Sequence, residues 1–259
     1  MTAAAAGPIQ IEVDGQGEPV VFVHGLGGTS NTFSAMLESF AGFRCIRPDL
    51  PGSGRSLRPF EVLTIEAMAA AIVDVLKIVA GAPAHVVAHS MGTLVAQHVA
   101  VEAPEIVRSL SLFGPIVEPA EAARGRLRER AQIARRQGMV AVADAVAAAG
   151  LSSSTRAGSP VTLAFVRESH MRQDPEGFAQ SCEALADARG ADLRLIRCPV
   201  LIATGDEDAI APPGVAQGLA DRLKGARLKI FERCGHWTPL ERSKDCGKLA
   251  ADFVRAQAN

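Results

Sequence analysis

No run of about 18 apolar residues occurs in the chain, and a shorter one does not span a bilayer as a helix. No C-x-x-C pair occurs either. The five cysteines, Cys45, Cys182, Cys198, Cys234 and Cys246, are odd in number and scattered. That pattern argues against a zinc site or a disulfide framework, and for free thiols in a reducing cytosol. Excess charge of one sign is lacking: 27 basic and 28 acidic residues leave a net charge of -1. There is neither the basic field that nucleic acid requires nor strong acidic self-repulsion. The Ala-rich start, residues 1–8, has no basic segment and no long apolar core, so it is not read as a signal peptide. Tyrosine is absent, tryptophan occurs once, and the basic side chains are mostly Arg; these biases are read as lineage, not function.

What is present is a chain of 259 residues with 48% hydrophobic content, enough for one sizeable core. Short apolar runs alternate with longer helical patterns, which predicts a mostly parallel sheet covered by helices. Strands are expected over 9–13, 20–23, 43–47, 85–88, 110–113, 200–203 and 228–231. Residues 63–79 carry apolar positions at helical spacing, with Thr64 placed to cap and Gly81 to stop the helix. Residues 93–101 and 240–257 also read as helices. The stretch between Pro115 and Arg197 shows no strand. Helices are expected over 119–137 and 139–149, and Ser159-Pro160 and Asp174-Pro175 each mark a further helix start. These four helices are expected to form a lid inserted into the sheet domain.

Two glycine-containing turns carry the chemistry. Ala88-His89-Ser90-Met91-Gly92 lies between a strand and a helix. This approximates G-x-S-x-G, a sharp turn that lifts a serine hydroxyl above the sheet, with Ala88 in place of the first glycine. The following helix N-terminus favours negative charge beside the serine. His24-Gly25-Leu26-Gly27-Gly28 follows the second strand, where glycines allow backbone N–H groups to face a reacting oxygen. The Leu26 and Met91 amides are the expected oxyanion donors. A phosphate loop is the weaker reading, because neither Gly-Lys-Ser/Thr nor G-x-G-x-x-G occurs. His24 is expected to brace its loop through ring hydrogen bonds.

The order H-G-x-G, S-x-G elbow, Gly205-Asp206-Glu207-Asp208 and Gly235-His236 resembles the α/β-hydrolase superfamily over nearly the whole chain. Asp49-Leu50-Pro51-Gly52-Ser53-Gly54-Arg55-Ser56 matches that family's D-x-x-G-x-G-x-S loop, in which Asp49 is a turn former. The resemblance implies an α/β fold with a mostly parallel eight-stranded sheet, a core of residues 1–116 and 198–259, and a helical lid over 117–197. It also implies the chain order serine, acid, histidine. Only His170 and His236 follow Ser90, and His170 precedes every candidate acid, so His236 is expected as base. Asp206, Glu207 and Asp208 compete as the acid; the family spacing G-x-x-D selects Asp208. Gly25, His24, His89 and Trp237 are the expected pocket residues, with Trp237 equally able simply to pack.

The lid and chain length resemble 3-oxoadipate enol-lactonases and meta-cleavage C–C bond hydrolases. Leu63-Thr64-Ile65-Glu66-Ala67-Met68 resembles the former, and Cys234-Gly235-His236-Trp237 the latter. The implied reaction is acyl transfer through Ser90 on a small ester or lactone, without metal or organic cofactor. C–C bond cleavage, a cofactor-free haloperoxidase or perhydrolase, and a ligand-binding receptor on the same fold are the alternatives. The expected location is cytoplasmic, with no nucleic acid or membrane partner; homodimerisation stays open. An arginine among Arg124, Arg126, Arg128, Arg130, Arg135 and Arg136 could hold a substrate carboxylate, against the plainer reading of a solvated face.

Overall fold

Continuous apolar runs need cover on both faces, and the central strands receive it. A computed structural model describes residues 2–6, 8–58 and 62–257, the first five as backbone only. The strands are β1 (Thr2–Ala6), β2 (Ile9–Asp14), β3 (Glu18–Val23), β4 (Phe43–Pro48), β5 (Ala84–His89), β6 (Val107–Phe113), β7 (Val200–Gly205) and β8 (Arg227–Phe231). They form one sheet in the order β1-β2-β4-β3-β5-β6-β7-β8. β1 pairs antiparallel with β2, and β2 antiparallel with β4; the other neighbours are parallel. Every residue of β5 and β7 is buried, whereas edge strand β8 alternates with solvent. β1 lies within the Ala-rich start, where the sequence shows no strand pattern because alanine carries little strand preference; Met1 and Gly7 of that start lie outside the described residues.

The helices are α1 (Ile65–Asp74), α2 (Met91–Glu102), α3 (Glu121–Gln137), α4 (Met139–Gly150), α5 (Ser153–Gly158), α6 (Pro160–Met171), α7 (Pro175–Asp187), α8 (Pro213–Arg222), α9 (Thr238–Glu241) and α10 (Ser243–Arg255). Thr64 caps α1, its hydroxyl accepting from Ala67 N–H at 3.0 Å. The helix widens into a π turn over Val75–Ala80 and stops at Gly81, whose φ of 66° is left-handed. One sheet face packs on α1, α2 and α8. The other packs on α10 and on 3₁₀ turns over Ser30–Phe40, where Phe22, Phe33 and Phe40 meet.

Between β6 and β7 stand five helices, α3 to α7, not four. The extra one, α5, is a short turn capped by Ser152, whose hydroxyl accepts from Thr155 N–H at 3.1 Å. It is too brief to show a 3.6-residue period. The closing helix is likewise two, since Arg242 breaks it between α9 and α10. The insert has its own apolar cluster around Ala131, Val142, Val166 and Phe178, and Trp237 of the sheet domain completes it. Arg124, Arg128 and Arg135 of α3 pair with Glu118, Asp187 and the Glu176 and Glu183 carboxylates. These three arginines tie α3 to α7 and its flanks. Among the described residues, no helix is long and apolar enough to cross a membrane.

Candidate active site

β5 runs into α2 through a turn that only small neighbours permit. Ser90 adopts φ 53° and ψ -125°, a costly conformation for a residue with a side chain. A Cβ on Gly92 would lie 2.3 Å from Val23 O, and one on Gly25 2.7 Å from Ser90 Cβ. The glycines at 25 and 92 are therefore required by close backbone approach. Ser90 N–H donates to Phe113 O at 2.9 Å, and Ser90 O accepts from Thr93 N–H and Thr93 Oγ1. Ser90 is only 9% exposed.

His236 arrives from the loop after β8 and Asp208 from the loop after β7. His236 Nε2 stands 2.7 Å from Ser90 Oγ, and its Nδ1 stands 2.9 Å from Asp208 Oδ2. Ile210 and Ala211 N–H donate to Asp208 Oδ1 at 2.9 and 2.8 Å, and Thr204 Oγ1 lies 2.9 Å from Oδ2. Burial alone raises a carboxyl, but the His236 ring and these donors more than offset it, holding Asp208 below the usual range. Of the three acidic candidates, only Asp208 touches the ring. Asp206 accepts from Cys234 N–H at 3.1 Å, and Glu207 accepts from Ser153 N–H at 2.7 Å.

The remaining expected residues are placed as follows. His24 is fully buried; its Nδ1 donates to Gly25 O at 2.8 Å and its Nε2 accepts from Leu50 N–H at 2.9 Å. One nitrogen is thus committed to its own loop and the other to the loop that begins at Asp49. His89 Nε2 lies 2.8 Å from His236 O, and its ring sits between those of His236 and Trp237, 5.0 and 5.1 Å away. Gly28 N–H closes the glycine loop on Gly25 O at 3.0 Å, leaving Leu26 at the bend. Met91 opens α2 directly after the serine. Asp49 is buried and accepts from Ser30 N–H at 2.6 Å and Arg55 N–H at 3.0 Å, a turn former. Burial pushes the Cys234 thiol up, away from a reactive thiolate.

His170, which chain order excludes as the base, belongs to this ring cluster. It stacks edge-on to Trp237 at 5.6 Å, and its Nδ1 donates to Val166 O at 2.8 Å. A Cβ on Gly27 would strike its Nε2 at 2.2 Å. Beside it, Ser169 Oγ donates to Gly27 O at 2.7 Å, and Gln173 Nε2 reaches the same oxygen at 3.3 Å. Helix α6 thereby grips the glycine loop. No local pattern marks these three residues, because their partners lie far off in sequence. Burial lowers His89 to about 3 and His170 to about 4, so both rings are neutral walls near pH 7. Among the described residues, no cluster of three metal-type ligands exists.

A family model described as alpha/beta hydrolase fold matches residues 18–243. The chain is 33% identical to a pimeloyl-[acyl-carrier protein] methyl ester esterase of Chromobacterium violaceum, over 96% of this chain and 98% of that protein. It is 30% identical to a 2-hydroxymuconate semialdehyde hydrolase of a Pseudomonas strain, over 93% and 88%. The crystal structure of an enol-lactonase from Burkholderia xenovorans superposes with a TM-score of 0.91 at 26% identity, covering 98% of this chain and all of that one, 100%.

Proposed function

The chain belongs to the alpha/beta hydrolase fold family, and on that premise we propose that it is a serine hydrolase cleaving a small ester or lactone through an acyl-enzyme on Ser90. The observation that carries this reading is the unbroken run from Ser90 Oγ to His236 Nε2 at 2.7 Å and from His236 Nδ1 to Asp208 at 2.9 Å. A free hydroxyl is a weak nucleophile and needs such a base, itself oriented by a third group. Ser90 Oγ attacks the acyl carbon as His236 takes its proton. Asp208 holds the ring and offsets its positive charge. The Leu26 and Met91 amides receive the negative charge that develops on the carbonyl oxygen. His236 then protonates the leaving oxygen, and the acyl group remains on Ser90. Water, deprotonated by His236, releases the acid and restores the serine. Residues 117–197 act as the lid. The slight exposure of Ser90 suits a small substrate, and the free thiols suit a cytoplasmic setting.

Ester chemistry is supported by the methyl ester esterase relative, and lactone chemistry by the enol-lactonase likeness. A second reading, C–C bond hydrolysis, is favoured by Trp237 directly after the base and by the semialdehyde hydrolase relative. Turnover of p-nitrophenyl butyrate, an enol-lactone and a vinylogous diketone by wild type and Ser90→Ala separates these. Ester or lactone turnover that falls about ten-thousandfold in the variant supports the proposal. Turnover of the diketone alone selects the second reading, and equal turnover by both proteins removes Ser90 from the mechanism.

A further inference from the structure

Two backbone segments meet beside the base. One is 150–152, where α4 passes into α5 of the lid; the other is the loop 234–237 that presents His236. His236 N–H donates to Gly150 O at 2.8 Å. Gly150 lies so near the Trp237 indole that a Cβ there would stand 2.9 Å from Nε1. A single carboxylate joins the same segments again. Glu241 Oε2 accepts from Ser152 N–H at 2.9 Å, and its Oε1 accepts from Gly235 N–H at 3.1 Å. The space is full: a Cβ on Gly235 would meet Ser152 N, Gly150 O and Glu241 Oε1, all within 2.8 Å. Glu207, next to Asp208, adds a parallel tie to Ser153 N–H and Oγ at 2.7 and 2.9 Å.

From this we infer that Glu241 is a positioning residue that locks the base loop to the lid, so that His236 is held against Ser90 by the seated lid. Both N–H groups lie in connecting segments outside the helix and strand ladders, and bonds to an ionised acceptor are about twice as strong as neutral ones. One side chain satisfying an amide on each body makes the position of one depend on the other. Neutral, shorter or absent acceptors at 241 leave Gly235 free to turn, and with it the ring that follows. The kinetic part of this inference rests on the serine hydrolase reading; the structural part does not.

The chain supplies its own reporter. Trp237 is the sole tryptophan, there is no tyrosine, and the indole is 3% exposed. Its emission therefore reads the place where the base loop meets the insert. The experiment compares wild type, Glu241→Gln, Glu241→Ala and Ser90→Ala. It records kcat and KM for p-nitrophenyl butyrate, and the emission maximum and acrylamide quenching of Trp237, all well below each protein's Tm. Glu241→Ala is expected to lower kcat about 100-fold, the scale of a misplaced reacting group, with KM changing less than fivefold. Its Trp237 emission shifts red and becomes more quenchable. Glu241→Gln keeps one acceptor and turns its amide NH2 against the other N–H, so it falls between. If folded Glu241→Ala retains wild-type kcat or wild-type Trp237 emission, Glu241 is a mere cap and the inference is overturned. Undiminished turnover in Ser90→Ala would overturn the serine reading instead, while Trp237 emission would still decide the coupling.

Discussion

Ser90 and Gly150 are placed by opposite means. In the sheet domain the residues that fix Ser90 lie on the strand and helix it joins, and on β6 and the glycine loop, which the sheet order brings alongside. In the insert, the ties that matter cross from one body to the other: Ser152 meets a carboxylate 89 positions away, and Ser169 meets Gly27 from 142 away. In the proposed mechanism the sheet domain therefore sets the identity of the reacting groups, and the insert sets how firmly two of their loops are held. Helix α6 grips the glycine loop, while the α4–α5 junction grips the base loop.

This contrast can be broken at its strong end first. Asp208→Asn should lower kcat/KM about ten-thousandfold with the fold intact, because the amide cannot hold the His236 ring in the required tautomer. Retained activity would show that the sheet-domain cluster is not the reacting unit, and steady-state kinetics on a p-nitrophenyl ester decides it.

Acid should next weaken the fold through the ring cluster. His89 and His170 are lowered to about 3 and about 4 by burial, and His24 is lowered by burial too. Each folded pKa lies below the unfolded value of about 6.5. Their neutral forms therefore stabilise the fold fully above that pH. As pH falls below it, the unfolded chain takes up protons that the folded one refuses. Stability drops by about 1.4 kcal/mol per pH unit for each histidine until the folded pKa is reached. Urea unfolding at pH 7 and pH 5 should show this loss, and a flat profile would mean that the rings are not held neutral. The smallest effect belongs to the insert: Ser169→Ala removes one neutral hydrogen bond on Gly27 O. That is worth about 1 kcal/mol of fold stability, read by urea unfolding, and an unchanged midpoint would mean that α6 does not hold the glycine loop.

The same division governs what could be read from the chain. Seven strands, the Thr64 cap, the Gly81 stop and the turn at Ser90 announce themselves because their causes are local: apolar runs, a hydroxyl three residues before an amide, a glycine where φ is positive. β1 is silent because its run of alanines lacks strand character, and α5 because a helix of 6 residues has no period to show. His170 and Glu241 stayed hidden for a different reason. A histidine inside a helix and a glutamate in a closing helix are ordinary until the fold brings Trp237, Gly235 and Ser152 against them.

The most direct test of the account is to trap the covalent intermediate. Wild type quenched in acid during turnover of p-nitrophenyl acetate, then digested and weighed, should carry one acetyl group on the peptide that contains Ser90, and Ser90→Ala should carry none. An acetyl group on another residue, or turnover by Ser90→Ala at the wild-type rate, would contradict it.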